Sequence, residues 1–351
     1  MERESITDRN IESYKVIPSP EDIAREMPLT ERAEKTVRKA RKEIEGVLDG
    51  KDLRKIIIAG PCSIHNAGEA IEYALNLKKL SEKVRDEFIV IMRAYFEKPR
   101  TTLGWKGLIN DPNIDNSFNI EKGLKISREL LLKINEIGIP AATEFLDPII
   151  PPYIADLISW ASVGARTSES QIHRQMASGL SMPVGFKNST FGSIDTAINA
   201  IKSSSSPHHF IGINSKGRIC KISTKGNSYC NIVLRGSIHG TNYEEEKVKA
   251  VQERLQNNRI SEKVIIDCSH GNSQKDFRKQ PEVFMNVIGQ IKDGNKNIAG
   301  LMIESNLKEG GQKISVDSGK CMIKRGISIT DACIGWETTE NLVLEAHKLL
   351  R

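Results

Sequence analysis

The sequence has no long hydrophobic run, few aromatic residues and no large excess of charge of one sign. No apolar stretch approaches the roughly 20 residues that a membrane-spanning helix needs, so we expect no membrane association. Aromatic residues make up 5% of the chain, and the net charge is only +6. Because there is no basic helix and no alternating basic and aromatic face, we expect no nucleic-acid partner. Anionic small-molecule substrates fit this charge equally well.

The cysteines lack paired spacing, so we expect no disulfide framework. They stand at positions 62, 220, 230, 268, 321 and 333. The first ten residues are charged rather than apolar, unlike a secretory signal. Together these features predict a cytoplasmic protein.

Short apolar runs alternate with helical patterns through most of the chain. We predict eight strands, at 55–60, 88–94, 140–145, 160–166, 183–188, 231–236, 264–267 and 300–303. Between them we predict helices at 68–84, 120–137, 149–155, 171–179, 193–202, 244–257 and 281–293. About eight such units in about 250 residues are typical of a (β/α)8 TIM barrel, a fold of the α/β class. A doubly wound open sheet is the competitor, but the turn Gly60–Ser63 lacks the glycine pattern of that fold.

Two segments do not belong to this alternation. Residues 1–50 form an N-terminal arm with a helix beginning after Ser19 and a longer amphipathic helix over Glu31–Leu48. Residues 209–214 and 218–224 read as two short strands around a Ser-Lys-Gly turn. We therefore predict an arm at 1–50, a barrel at 51–351 and a β-hairpin insertion at about 209–230.

Polar or ionisable residues stand where nearly every predicted strand ends. In a TIM barrel these positions meet at the C-terminal face, where catalytic residues lie. In chain order they are Cys62, Arg93, Lys98, Arg100, Glu144, Arg166, Lys187, Arg235, Asp267, His270 and Glu304. Their conjunction at one rim predicts an active site there.

These residues divide into two chemical sets. One set is cationic and suits a ligand with several negative charges, such as a phosphate plus a carboxylate; it comprises Arg93, Lys98, Arg166, Lys187 and Arg235. The other set consists of metal-ligand types, Cys62, His270 and Glu304, which Asp331 could complete. A thiolate, an imidazole and two carboxylates suit a divalent ion such as Mn, Fe, Co or Zn.

Long motifs over essentially the whole chain resemble the type I 3-deoxy-D-arabino-heptulosonate 7-phosphate (DAHP) synthases. They are GPCSIH (60–65), MRAYFEKPRTTLGWKGLINDP (92–112), GARTSESQ (164–171), PVGFKN (183–188), DCSHGNS (267–273), MIESN (302–306) and SITDACIGWE (328–337). The resemblance implies the condensation of phosphoenolpyruvate with erythrose 4-phosphate, the first step of the shikimate pathway. It also implies a (β/α)8 barrel and a divalent metal ion.

The resemblance assigns roles to the strand-end residues. The implied metal ligands are Cys62, His270, Glu304 and Asp331. The implied phosphoenolpyruvate site comprises Arg93, Lys98, Ala165, Arg166, Lys187 and Arg235, and the implied erythrose 4-phosphate site comprises Lys98, Pro99, Arg100 and Thr101. Lys98 is the candidate general acid, and His270 and Glu144 are the other candidate catalytic residues, with Glu144 orienting water.

The same resemblance implies feedback control and assembly. Pro151, Leu180, Ser181, Phe210 and Gly212 match positions that line an aromatic amino-acid inhibitor pocket in the family. A glycine at 212 leaves room for a phenol hydroxyl, and phenylalanine-sensitive members tend to carry serine there, so we expect inhibition by tyrosine. We also expect the arm to pack on a neighbouring subunit in a homodimer or homotetramer.

Other readings of the same residues stay open at this point. Lys187 could be the nucleophile of a Schiff-base aldolase, and a relative using arabinose 5-phosphate would share the barrel. A non-catalytic barrel kept for effector binding is a third reading, because three loops depart from the family pattern. These loops are 187–192, 235–238 and 324–327.

Overall fold

The computed structural model describes residues 6–314 and 323–351 of the chain. Eight parallel strands form a closed barrel. They are β1 (Lys55–Gly60), β2 (Phe88–Arg93), β3 (Ala141–Glu144), β4 (Trp160–Val163), β5 (Val184–Lys187), β8 (Cys230–Leu234), β9 (Val264–Asp267) and β10 (Ile298–Glu304). Around the barrel they follow the order β1-β10-β9-β8-β5-β4-β3-β2. The predicted (β/α)8 fold is confirmed.

Helices follow the strands and cover the outside of the barrel. They are α3 (Ala67–Lys83), α4 (Ile120–Ile137), α5 (Pro151–Ile154), α6 (Gln171–Gly179), α7 (Ile194–Ser204), α8 (Glu245–Asn257), α9 (Gln280–Lys292) and α10 (Trp336–Leu350). Their buried apolar stripes pack against the outward-facing strand residues in one large core. Two short 3₁₀ turns, Ala155–Leu157 and Phe277–Lys279, precede β4 and α9.

A second apolar cluster fills the inside of the barrel. It contains Ile56, Ile58, Trp160 and other inward-facing side chains, together with Ile44 and Val47 of a helix that precedes the barrel. The α2 helix (Glu31–Leu48) therefore closes the N-terminal end of the barrel. Because this end is filled by side chains, a ligand enters from the opposite, C-terminal face.

The N-terminal arm is fastened to the barrel and to the inserted hairpin. Helix α1 (Pro20–Glu26) begins with a capping box between Ser19 and Asp22, as its sequence predicts. The amide of Glu21 donates to the carbonyl of Ser215 at the hairpin tip (2.7 Å). The hairpin itself is an antiparallel pair, β6 (His209–Ile213) and β7 (Ile219–Ser223), inserted between α7 and β8.

Two predictions of helices need correction. The helix predicted at 149–155 is a single turn, Pro151–Ile154, followed by the 3₁₀ turn. The C-terminal helix Trp336–Leu350 was not predicted, although it buries Leu342, Val343 and Ala346 at helical spacing. Across the described ranges 6–314 and 323–351, no helix is long and apolar enough to cross a membrane.

Candidate active site

The predicted substrate residues surround one cavity of about 300 Å³ at the C-terminal face of the barrel. All nine of them contribute to its wall, as do Glu144, His270 and Asp331. The nine are Arg93, Lys98, Pro99, Arg100, Thr101, Ala165, Arg166, Lys187 and Arg235. The strand ends therefore converge in the way that the sequence predicts.

Three of the four predicted metal ligands form a compact group. Ligand atoms of Cys62, Glu304 and Asp331 all lie within 4.8 Å of one another. Cys62 and Glu304 are buried, whereas Asp331 is exposed at the cavity wall. Burial, together with the charge of Glu304, raises the pKa of the Cys62 thiol to about 11. A thiol and two carboxylates held this close fit a divalent cation, whose charge would favour the thiolate form.

His270, the fourth predicted ligand, lies beside this group. Its Nε2 is 3.7 Å from Oε1 of Glu304, and its backbone has a left-handed φ of +56°. Its Nδ1 is 2.9 Å from Oδ2 of Asp267, a fully buried carboxylate. A carboxylate on one ring nitrogen leaves the other free to face a metal, which is the usual arrangement of a metal-bound histidine.

Arg93 and Lys98 link the metal-ligand group to the cavity. The fully buried Arg93 guanidinium donates to Oε1 of Glu304 (2.8 Å) and lies 3.6 Å above the centre of the Tyr95 ring. The Lys98 ammonium lies 3.1 Å from Sγ of Cys62. Burial would lower the pKa of Lys98, but the neighbouring Cys62 and Glu304 outweigh it and raise the pKa. Lys98 is therefore protonated and can donate a proton or hold an anion.

Lys187 and Glu144 form a buried ion pair with an Nζ–Oε2 distance of 2.7 Å. Burial would raise the pKa of Glu144, but Lys187 and the nearby Lys98 and Arg93 lower it to about 2. The same pair raises the pKa of Lys187 against its burial. Gly164 makes room for the carboxylate, since a Cβ there would stand 2.6 Å from Oε1 of Glu144. A raised pKa of Lys187 does not favour a Schiff-base aldolase, whose nucleophile is a neutral amine.

The loops that carry the remaining cations are tied to one another. The amide of Arg235 donates to Oδ1 of Asn188 (2.9 Å), which follows β5. The amide of Ile238 donates to the carbonyl of Thr190 (3.1 Å), so the two loops that depart from the family pattern contact each other. The third such loop, 324–327, is held by Gln312, whose Nε2 donates to the carbonyls of Lys324 and Ile327 (2.9 Å each).

The expected effector residues lie around the hairpin and the arm. Phe210 and Gly212 are on β6, opposite Ile222 and Cys220 of β7. The Asn227 side chain, just beyond β7, donates to the carbonyl of Leu180 (3.2 Å), while Ser181 is exposed. Pro151 begins α5, and the Tyr153 hydroxyl of that helix donates to the carbonyl of Pro18 in the arm (2.9 Å).

The structure adds residues to which the sequence assigned no role. Tyr95, Thr190 and Lys275 also contribute to the cavity wall. The Tyr95 hydroxyl is 2.8 Å from the Ser162 hydroxyl, and its ring faces Arg93. Tyr95 lies within a motif of charged residues, but a stacking role depends on contacts across the barrel that no local pattern reveals.

The sequence model of one protein family, described as the DAHP synthetase I family, matches residues 27–344. The chain belongs to this family. Membership confirms the family and the enzyme class expected from the motifs, a 3-deoxy-7-phosphoheptulonate synthase.

Several relatives of this chain are similar to it over nearly its whole length. The "Phospho-2-dehydro-3-deoxyheptonate aldolase, Tyr-sensitive" of Escherichia coli K12 is 47% identical, covering 99% of this chain and 97% of the relative. The Phe-sensitive enzyme of the same organism is 50% identical, covering 96% and 95%. The solved structure of the Francisella tularensis SCHU S4 enzyme has a TM-score of 0.93 at 46% identity and covers 97% of this chain and all of that one.

Proposed function

We propose that this chain condenses phosphoenolpyruvate with erythrose 4-phosphate to give DAHP and phosphate, using a divalent metal ion. The observation that carries the proposal is the single cavity in which the cationic set adjoins the Cys62, Glu304 and Asp331 group. A dianionic phosphate and a carboxylate need several cations, and an aldehyde needs an electrophilic partner. The cavity offers both within one volume of about 300 Å³.

Different cations of the cavity would bind the two substrates. Arg93, Lys187 and Arg235 are buried at the cavity floor, where they would hold the carboxylate and phosphate of phosphoenolpyruvate together with Ala165 and Arg166. Arg100 and Thr101 are exposed on the loop after β2, where they would hold the phosphate of erythrose 4-phosphate with Pro99. The Arg166 guanidinium donates to the Thr101 hydroxyl (3.2 Å), so the two subsites adjoin.

Cys62, His270, Glu304 and Asp331 would hold the metal ion, which we expect to be Mn, Fe, Co or Zn. When bound, this ion would supply Lewis-acid polarisation of the aldehyde oxygen. C3 of phosphoenolpyruvate would then form a bond to the aldehyde carbon, and Lys98 would donate a proton to the former aldehyde oxygen, which becomes the new hydroxyl. Water would add at C2, with Glu144 orienting it, and phosphate would leave by C–O cleavage, carrying away a proton that the added water loses.

We further propose that the enzyme is cytoplasmic, controlled by tyrosine and assembled as a homodimer or homotetramer. The overall identities to Tyr-sensitive and Phe-sensitive relatives are similar, 47% and 50%. The proposal for tyrosine therefore depends on Gly212, whose Cβ position faces Ile222 and Phe210. The proposal for assembly depends on the part of the arm that precedes α1, where Ile6, Tyr14 and Val16 are all at least 75% exposed.

Phosphate release from phosphoenolpyruvate tests the choice of substrate. We expect release with erythrose 4-phosphate and little with arabinose 5-phosphate at equal concentration. Borohydride added during turnover should trap no adduct on Lys187. Release driven by arabinose 5-phosphate alone, or a trapped lysine adduct, would overturn the proposed reaction.

A further inference from the structure

Gln280 is a fully buried amide that the functions described above do not use. It is the first residue of α9, and both ends of its side chain bind the main chain of Glu304. The amide of Glu304 donates to Oε1 of Gln280 (2.8 Å), and Nε2 of Gln280 donates to the carbonyl of Glu304 (3.1 Å).

This pair of hydrogen bonds takes the place of ladder hydrogen bonds that β10 would otherwise make with β9, which ends earlier. The ladder between β10 and β9 ends with Met302 opposite Asp267, and the amide of Cys268 donates to the carbonyl of Met302 (2.8 Å). Beyond that point the chain after β9 turns away toward His270, whereas β10 continues to Glu304. A buried main-chain amide without a partner is costly, so another group must take the place of β9. The Gln280 side chain, which carries one donor and one acceptor like a peptide unit, fills that place.

The carbonyl of Glu304 is also where a second segment joins the strand. It accepts from the amide of Ile334 (3.0 Å), and the amide of Asn306 donates to the carbonyl of Ile334 (2.9 Å). Ile334 lies three residues after Asp331, so the segment that carries Asp331 is anchored on the same peptide unit. Gln280 thus fixes the backbone from which Glu304 projects and on which the Asp331 segment rests.

We propose that Gln280 is a positioning residue of the divalent-ion site, setting its affinity by holding the main chain of Glu304. This inference rests on the proposed function, because it takes Glu304 and Asp331 as ligands of the ion. Gln280 also lines a small cavity of about 90 Å³ together with His270, Glu304 and Asp331, and that cavity is where a displaced Glu304 would find room to move.

The test compares two substitutions on the same helix. Gln280→Met keeps the approximate volume and removes both hydrogen bonds. Gln290→Met is the matched control, because Gln290 is also buried on α9 but donates to Tyr243 O (2.7 Å) and Asn286 Oδ1 (2.8 Å). The Kd for Mn²⁺ is measured by competition with a chromophoric chelator, and the Tm of the metal-free proteins is measured beside it.

We expect Gln280→Met to weaken Mn²⁺ binding by about tenfold or more, the usual effect of losing a group that supports a metal ligand. Gln290→Met should lower the Tm to a similar extent and leave the Kd within about twofold, since its partners lie away from the ligands. Equal Kd values for Gln280→Met and the wild type would overturn the inference. If Gln280→Met does not fold, Gln280→Asn is judged by the same criterion, because its shorter side chain cannot reach both main-chain atoms. A wild type that binds no Mn²⁺ would instead count against the proposed function.

Discussion

Cys62 illustrates how one side chain can matter to chemistry and little to packing. It lies after β1 with its sulfur near both Lys98 and Asp331, at 3.1 and 3.6 Å. We expect Cys62→Ala to lose metal binding while its Tm falls only slightly, because one small side chain contributes little core volume. Metal content after dialysis and thermal unfolding measure the two effects.

Cys230→Ala is the control for this substitution. Cys230 is also buried, and burial alone raises its pKa to about 12. It starts β8 at the opposite end of the barrel strand from the site, so its loss should leave metal binding unchanged. A Cys62→Ala protein that keeps wild-type metal affinity would contradict the ligand assignment.

The Lys187–Glu144 pair makes a second prediction at the scale of residues. Glu144→Gln leaves a buried Lys187 charge without its partner, and breaking a buried pair in this way costs about 3–5 kcal/mol of the free energy of unfolding. The double variant Glu144→Gln/Lys187→Met removes both charges and should recover much of that loss. Urea unfolding measures all three proteins. Equal stability of the wild type and Glu144→Gln would show that the pair is not buried as described.

The pH dependence of this pair has a defined sign. The pKa of Glu144 is lowered to about 2 by the surrounding cations, despite its burial. Its stabilising contribution is therefore full above the ordinary glutamate pKa of about 4.3 and is lost as the pH falls toward 2. As the pH falls from about 4.3 toward 2, the wild type should therefore lose free energy of unfolding relative to the double variant. A difference that stays constant from pH 6 to pH 3 would contradict the shift.

The sequence predicts which residues form the site but not the contacts that hold their side chains in place. Arg93, Glu144, Lys187 and Glu304 are each the last residue of a strand, and the fold class alone brings such positions to one rim. Gln280 lies 24 positions from Glu304, and a side chain that replaces a strand leaves no periodic signal. Hydrogen-bond partners of this kind become visible only in the folded structure.

At the scale of elements, the hairpin β6–β7 carries the prediction about control. A Cβ at Gly212 would stand 2.5 Å from Cδ1 of Ile222, so a serine there requires the Ile222 side chain to rotate. We expect tyrosine to inhibit the wild type more strongly than phenylalanine, and Gly212→Ser to shift the preference toward phenylalanine. Titration of both amino acids against each protein measures the shift.

Ile211→Ser is the matched control for the hairpin. Ile211 is the neighbouring residue on β6, points to the other face and is 82% exposed. The control should keep the wild-type order of inhibition. A wild type insensitive to both amino acids would mean that this hairpin does not carry an effector site.

The elements also show where sequence patterns lose information. The predicted strands 160–166 and 183–188 extend past the observed β4 and β5, because the small residues Gly164 and Ala165 and the buried Asn188 do not mark where a strand ends. Helix α10 begins within the last residues of the motif SITDACIGWE, and the helical spacing of its buried Leu342, Val343 and Ala346 follows directly after that motif. Pro151 and Pro152 occupy the first two positions of α5, where proline is favoured, so they fix where this helix begins.

At the scale of the whole molecule, the arm makes the prediction about assembly. Ile6, Ile11, Tyr14 and Val16 are exposed large hydrophobic residues within an irregular segment. Burying them against another subunit would remove this surface from water. We expect sedimentation at micromolar concentration to show a dimer or tetramer, and removal of residues 1–17 to weaken the assembly. A wild type that sediments as a monomer would contradict this proposal.

The most direct test of the proposed function is the rate of phosphate release from phosphoenolpyruvate and erythrose 4-phosphate, with and without metal. We expect a chelator to abolish phosphate release and Mn²⁺, or another divalent transition ion, to restore it to the same protein. The Cys62→Ala variant should remain inactive after the same addition. Full activity in the metal-free wild type would contradict the account.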